Sequence, residues 1–243
     1  MKEKIKLALA QISSRRESKK ENLQKIEEFT VKAKEQAADL VIFPELSLTG
    51  YVLHDQIYEL AETIPGPSTK RIEDLAKKTG MHIIFGMPEL SEKTKATIFN
   101  TAVFVGPKGF IGKYRKMYLP THSVFEEKRY FRSGYQTATF NTPIGNIGLF
   151  ICYDIFFPEV CRLTRLKGAE LMVCISASSR TQRLLRNSHG SKGFGKHSLP
   201  RLCQLGRGGG WTAILGRKQT GKPNRRPDGE SKVRRGGSRH LRS

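Results

Sequence analysis

Residues 137–154 read TATFNTPIGNIGLFICYD. Apolar, β-prone runs on either side of Pro143–Gly145 predict a hairpin whose second strand delivers Cys152 to its end. Residues 157–167 then read as a helix, and AELMVCISAS (169–178) as a further buried strand. The same alternation runs back toward the N-terminus. IKLALA (5–10) has strand character, and residues 18–37 space Leu23, Ile26, Phe29, Val31 and Ala33 among Lys and Glu as an amphipathic helix does. ADLVIFPE (38–45) is a buried strand stopped by Pro44, because proline cannot extend a central ladder. STKRIEDLAKKT (68–79) opens on a Ser/Thr cap and predicts a helix; MHIIFGMPE (81–89) predicts the next strand. FNTAVFVGPKGFIGKYRKMYL (99–119) reads as a hairpin around Gly-Pro-Lys-Gly. Strands alternating with helices, with hairpins inserted and no internal repeat, predict an α/β layered fold.

The length of 243 residues permits one sizeable core. No apolar run is long enough to span a bilayer, and the polar sequence after MKEKIKLALA argues for a strand and against a signal peptide. Cys152, Cys161, Cys174 and Cys203 form no CxxC pair and no metal-ligand spacing, which fits a reduced, cytoplasmic setting. The net charge of +21 would ordinarily suggest a polyanionic partner. Its distribution argues otherwise for the body of the chain. Residues 1–178 carry 26 Lys+Arg against 20 Asp+Glu, whereas residues 179–243 carry 17 against 2. The body is close to balanced, and nucleic acid is not its expected partner.

Three segments gather chemistry at strand ends, where layered α/β folds place their sites. They are Phe43-Pro44-Glu45, the run Tyr114–Pro120 containing Lys116, and Gly148–Asp154 containing Cys152. A thiol becomes a strong nucleophile once a base takes its proton. A carboxylate can be that base and later protonate a leaving amine. An ammonium and a backbone N–H can hold the resulting oxyanion. Each residue alone has an ordinary reading. Glu45 reads as a solvated turn residue, Lys116 as part of the basic run KYRK, and Cys152 as a small buried hydrophobe. Cys161 and Cys174 keep that last reading.

Taken together, the segments resemble the nitrilase, or carbon–nitrogen hydrolase, superfamily. The resemblance rests on FPE ending in Glu45, on RKMYLP holding Lys116, and on GLFICYD holding Cys152 with FPE following. ELSLTGY, FNTA and KGAEL match as flanks, and the likeness covers roughly residues 4–178. It implies an αββα four-layer sandwich, a thioester intermediate on Cys152, Glu45 as general base and Lys116 as oxyanion stabiliser. It implies a further glutamate in FEEKRYFRSG, placed on Glu127 with Glu126 as the alternative, holding Lys116 and positioning the substrate amine. The Tyr153 N–H is expected to join the oxyanion site. Glu159 and Arg162 are expected to orient the helix after Cys152 or to meet a second copy, since the resemblance implies a homo-oligomer. It implies no metal and no organic cofactor. The expected substrate is a small amide, an ω-amide or an N-carbamoyl compound, with nitrile hydrolysis as the same-class alternative. An inactive relic, or nucleic-acid binding through the basic tail, are the alternatives from other classes.

Residues 179–243 follow different rules. They are rich in Gly and Arg, show little periodicity, and are expected to be disordered. The carbon–nitrogen hydrolase domain is accordingly placed at 1–178, with the C-terminal part of its fold missing and an apolar sheet edge left open. The expected explanation is a shifted reading frame, with a disordered tail that binds RNA or a surface as the alternative. With a permissive choice of codons, Leu215–Asn224 (LGRKQTGKPN) read one base later gives WGGSRLVNP, which resembles family text. Cys203, Trp211, His189, His197 and His240 would then have no functional role.

Overall fold

The computed structural model describes residues 5–51, 54–122, 125–177 and 212–215. Two sheets form the centre. In the first, β1 (Leu7–Leu9), β2 (Leu40–Ile42) and β3 (His82–Leu90) run parallel, and β4 (Ile98–Gly106) and β5 (Gly109–Arg115) continue it antiparallel, in sequential order. In the second, β6 (Ala138–Thr142) and β7 (Gly145–Ile151) form an antiparallel pair and β8 (Leu171–Ile175) lies parallel to β7. Parallel neighbours need a crossover, and helices supply it. α1 (Lys19–Glu35) joins β1 to β2, α3 (Pro67–Thr79) precedes β3, and α5 (Pro158–Leu166) joins β7 to β8.

Period-two alternation assigns each face of the first sheet. Leu40, Ile42, Ile84, Ala102 and Phe104 point toward Ile147, Leu149 and Ile151 of the second sheet. Val41, Phe43, Ile83, Phe85, Val103 and Val105 point the other way, against Leu23 and Ile26 of α1 and Ile72 and Ala76 of α3. Behind β7, a Cβ on Gly148 would lie 2.3 Å from the Thr164 methyl of α5, so this helix packs on the outer face of the second sheet. The layers are therefore helix, sheet, sheet, helix, as the resemblance implies. Each fully buried Leu, Ile or Phe here contributes about 1.5–3 kcal/mol.

The observed boundaries fall close to the expected ones. Two short helices, α2 (Ile57–Leu60) and α4 (Glu127–Tyr130), were not legible, because four residues cannot display a 3.6-residue period. A larger difference lies at the edge of the second sheet. The sequence reading leaves the outer side of β8 unpaired, but β9 (Thr212–Leu215) lies antiparallel to it, from Met172 opposite Leu215 to Ile175 opposite Thr212. An apolar, fully buried strand with open N–H and C=O groups is a strong template for another strand. The remainder of 178–243, including Cys203, Trp211 and the three histidines named above, lies outside the described residues. Among the described residues, no helix is long and apolar enough to cross a membrane.

Candidate active site

Glu45 sits just past the end of β2, where Pro44 has stopped the strand. The chain then turns tightly: Leu46 has φ +49°, and the Gly50 N–H returns to the Leu46 carbonyl at 2.8 Å. This turn lies directly on β3. A Cβ on Gly86 would come within 2.3 Å of the Leu46 nitrogen and 2.8 Å of the Glu45 Cα, so only glycine permits the approach. The Glu45 side chain is completely buried. Its Oε1 accepts hydrogen bonds from Lys116 Nζ at 2.7 Å and from Asn100 Nδ2 at 2.8 Å. Its Oε2 accepts the Ala177 N–H at 3.0 Å.

Lys116 follows the last residue of β5. Its backbone N–H donates to the Asn100 carbonyl at 2.9 Å, and its own carbonyl accepts the Gly134 N–H at 2.7 Å. The ammonium is completely buried and donates to Glu45 Oε1 and Glu127 Oε1, both at 2.7 Å. Burial alone would favour the neutral amine. The two carboxylates outweigh it and hold the Lys116 pKa well above its ordinary value, so the group stays charged.

Glu127 opens α4 and is 4% exposed, whereas Glu126 beside it faces solvent; the structure thus brings Glu127, not Glu126, to the lysine. Its Oε1 also accepts the Tyr51 hydroxyl at 2.5 Å, and its Oε2 has no partner among the described residues. Burial pushes this carboxyl up to about 7; Lys116 opposes that shift and Glu45 adds to it.

Cys152 begins a 3-10 turn, Cys152–Phe156, at the end of β7, with φ +45°. That backbone state is uncommon for a residue bearing a Cβ and persists only where its surroundings fix it. The residue is 4% exposed, and its sulfur accepts the Ser176 hydroxyl at 3.2 Å. Burial and then the Glu45 carboxylate push the thiol pKa up, while Lys116 pulls it down. An uncharged thiol beside a carboxylate is the arrangement that needs a base at the moment of attack. Tyr153 follows directly, and its N–H is among the first of the 3-10 turn, which have no carbonyl within the turn to bond. Glu159 and Arg162 lie on the exposed face of α5, whereas Glu45, Lys116 and Glu127 are buried.

The site thus joins Glu45, Lys116, Glu127 and Cys152, drawn from both sheets and from α4. Four further residues belong to it. Asn100 lies in the FNTA flank, Tyr51 ends ELSLTGY, Ser176 lies past β8, and Asp154 ends GLFICYD. All four stand in stretches singled out in the sequence, but nothing local signals which side chain turns inward.

Known proteins resemble this chain in sequence and in fold. The sequence profile of the carbon-nitrogen hydrolase family matches residues 6–194, past the residue 178 where the sequence reading ends the likeness. A nitrilase of Pyrococcus abyssi is 37% identical over 172 residues, 69% of this chain and 63% of the relative. An omega-amidase of Homo sapiens is 32% identical over 184 residues, 73% of this chain and 64% of the relative. The chain therefore spans less than two thirds of the length of these curated relatives. Among solved structures, a nitrilase-superfamily member from Saccharomyces cerevisiae superposes with a TM-score of 0.67 at 32% identity, covering 76% of this chain and 69% of that one. An amidase from a Nesterenkonia species superposes with a TM-score of 0.64 at 26% identity, covering 74% and 68%. On a family match of this extent, the chain belongs to the carbon–nitrogen hydrolase family.

Proposed function

We propose that the chain hydrolyses a small, non-peptide carbon–nitrogen bond through a thioester on Cys152, the substrate being an aliphatic amide, an ω-amide or an N-carbamoyl compound. The observation that carries this reading is Lys116, completely buried between the Glu45 and Glu127 carboxylates, beside a thiol on a strained turn. Glu45 takes the Cys152 proton, and the sulfur attacks the carbonyl carbon. The oxyanion is held by the Lys116 ammonium and the Tyr153 N–H. Glu45 then gives its proton to the departing nitrogen, and the C–N bond breaks to leave the thioester. A water that loses its proton to Glu45 attacks the thioester, releasing the carboxylic acid and restoring the thiol. Glu127 holds Lys116 and offers its unpartnered Oε2 to the substrate nitrogen.

A panel of primary amides and N-carbamoyl amino acids, assayed for ammonia or amine release, tests this. The wild type should release ammonia and form a hydroxylamine-sensitive covalent adduct of acyl mass, and Cys152→Ala should do neither. Release by Cys152→Ala at the wild-type rate overturns the proposal. Nitrile hydrolysis is a second reading, favoured by the nitrilase of Pyrococcus abyssi among the relatives. Ammonia from a nitrile, but none from the matching amide, would select it.

The family resemblance also implies self-association. Leu163 and Leu166 on α5 are 49% and 73% exposed, and a second copy would cover them. Sedimentation that gives a monomer at all concentrations would exclude that part of the proposal.

A further inference from the structure

We infer that Asp154 is a positioning residue that locks the Cys152 turn and the Lys116 segment to one another across the two sheets. The inference rests on the proposed reaction at Cys152. Asp154 lies in the 3-10 turn two residues after the thiol and is fully buried. Its two oxygens serve different elements. Oδ2 accepts the Ile151 N–H at 3.0 Å and the Tyr114 hydroxyl at 2.8 Å. Oδ1 accepts the Met117 N–H at 3.2 Å and the Tyr118 N–H at 2.8 Å. Ile151 immediately precedes Cys152. Met117 and Tyr118 immediately follow Lys116, and Tyr114 is two residues before it. One carboxylate therefore ties the end of β7 to the end of β5.

Four donors occupy the accepting capacity of a carboxylate. Asp154 is thus committed to backbone and hydroxyl donors and acts on the reaction only through the groups that it places. Those groups need placing. Cys152 has φ +45°, and Lys116 still bonds Asn100 of β4 through its N–H, whereas the next two N–H groups, of Met117 and Tyr118, go to Asp154 instead. The Tyr118 and Phe157 rings, stacked with centroids 3.5 Å apart, bridge the same two segments. That contact slides, however, whereas paired hydrogen bonds to a single carboxylate fix distance and direction together.

Asparagine has the same shape but turns one accepting oxygen into a donor. Its amide nitrogen would have to face either Ile151 N–H or the Met117 and Tyr118 pair, donor against donor in a buried place. One of the two segments must then move. A displacement of about 1 Å in a catalytic group costs on the order of a hundredfold in rate.

The test compares wild type, Asp154→Asn and Tyr114→Phe in steady-state turnover and in site-resolved alkylation of Cys152 by iodoacetamide. Asp154→Asn should lower kcat about a hundredfold with KM within about threefold of wild type. Tyr114→Phe, which removes one donor and adds no clash, should lower kcat about tenfold with KM unchanged. A wild-type kcat in Asp154→Asn, or a loss that falls on KM alone, overturns the inference. If Asp154→Asn shows no cooperative melt, Tyr114→Phe decides: lowered kcat at constant KM supports the inference, and wild-type kcat overturns it. If wild type turns over neither amides nor nitriles, the proposed function falls. The alkylation rate then decides on Asp154 alone, slower Cys152 modification in the variants supporting it and equal rates overturning it.

Discussion

A lysine ammonium with no exposed surface is tolerable only because two carboxylates meet it at 2.7 Å. Lys116→Met leaves Glu45 and Glu127 facing each other without a cation. It should cost about 3–5 kcal/mol in urea denaturation and abolish turnover, because an uncompensated buried charge is what such a deletion exposes. Glu127 makes a prediction with the opposite sense. Its carboxyl is raised by burial from near 4.5 to about 7, so the folded chain keeps this proton longer than the unfolded chain. Folded stability from this group is therefore lost as pH rises across that window, and it is constant above it. Glu127→Gln removes the titration. The stability of the variant relative to wild type should rise between about pH 4.5 and 7 and then level off, read from urea midpoints. A flat difference across that range would mean that Glu127 titrates normally. Asp154, pushed up to about 6 by burial, contributes a slope of the same sign in both proteins.

Strand ends and the turns after them carry the site at the next scale. β2 and β7 were legible as apolar runs, the first halted at Pro44 and the second as the outgoing strand of a hairpin, and their ends placed Glu45 and Cys152 at a rim. The turn after β2 rests on Gly86, whose missing side chain leaves room for the Leu46 nitrogen. Gly86→Ala should cost about 1–3 kcal/mol, since backbone must shift to admit the methyl. Because the backbone that shifts bears Glu45, turnover should fall by more than the lowered melting temperature explains; an unaffected kcat would show that the turn can relax without moving the carboxylate. α4 shows the converse. Its four residues carry no periodic signal, yet they set Glu127 inward and Glu126 outward. The choice between two adjacent glutamates was open in the sequence because it is made by packing against Lys116 and Tyr51.

For the molecule as a whole, the second sheet is where composition and architecture meet. β8 is buried along its length and would present an open edge, and β9 covers that edge with backbone pairing from within the basic tail. A tail rich in Gly and Arg gave no reason to expect a strand there. We propose that the tail nonetheless arises from a shifted reading frame, since its charge of 17 basic against 2 acidic residues differs so sharply from the body. Re-reading the DNA around codons 175–185 should show a frame change after which family-like sequence continues. A downstream frame closed by stops, or encoding nothing of that kind, would remove the idea.

By itself, the sequence determined the alternation of strands and helices, the strand ends that bear Glu45, Lys116 and Cys152, and the class of chemistry those side chains support. It could do so because apolar periodicity, proline stops and residue type are local properties. Only the tertiary structure decided that Lys116 is buried between two carboxylates, that Glu127 is the second of them, and that Asn100, Tyr51, Ser176 and Asp154 complete the cluster. These depend on which face of each strand meets the other sheet, and on positive φ at Leu46 and Cys152. Long-range packing sets both, and no short stretch of chain encodes either alone.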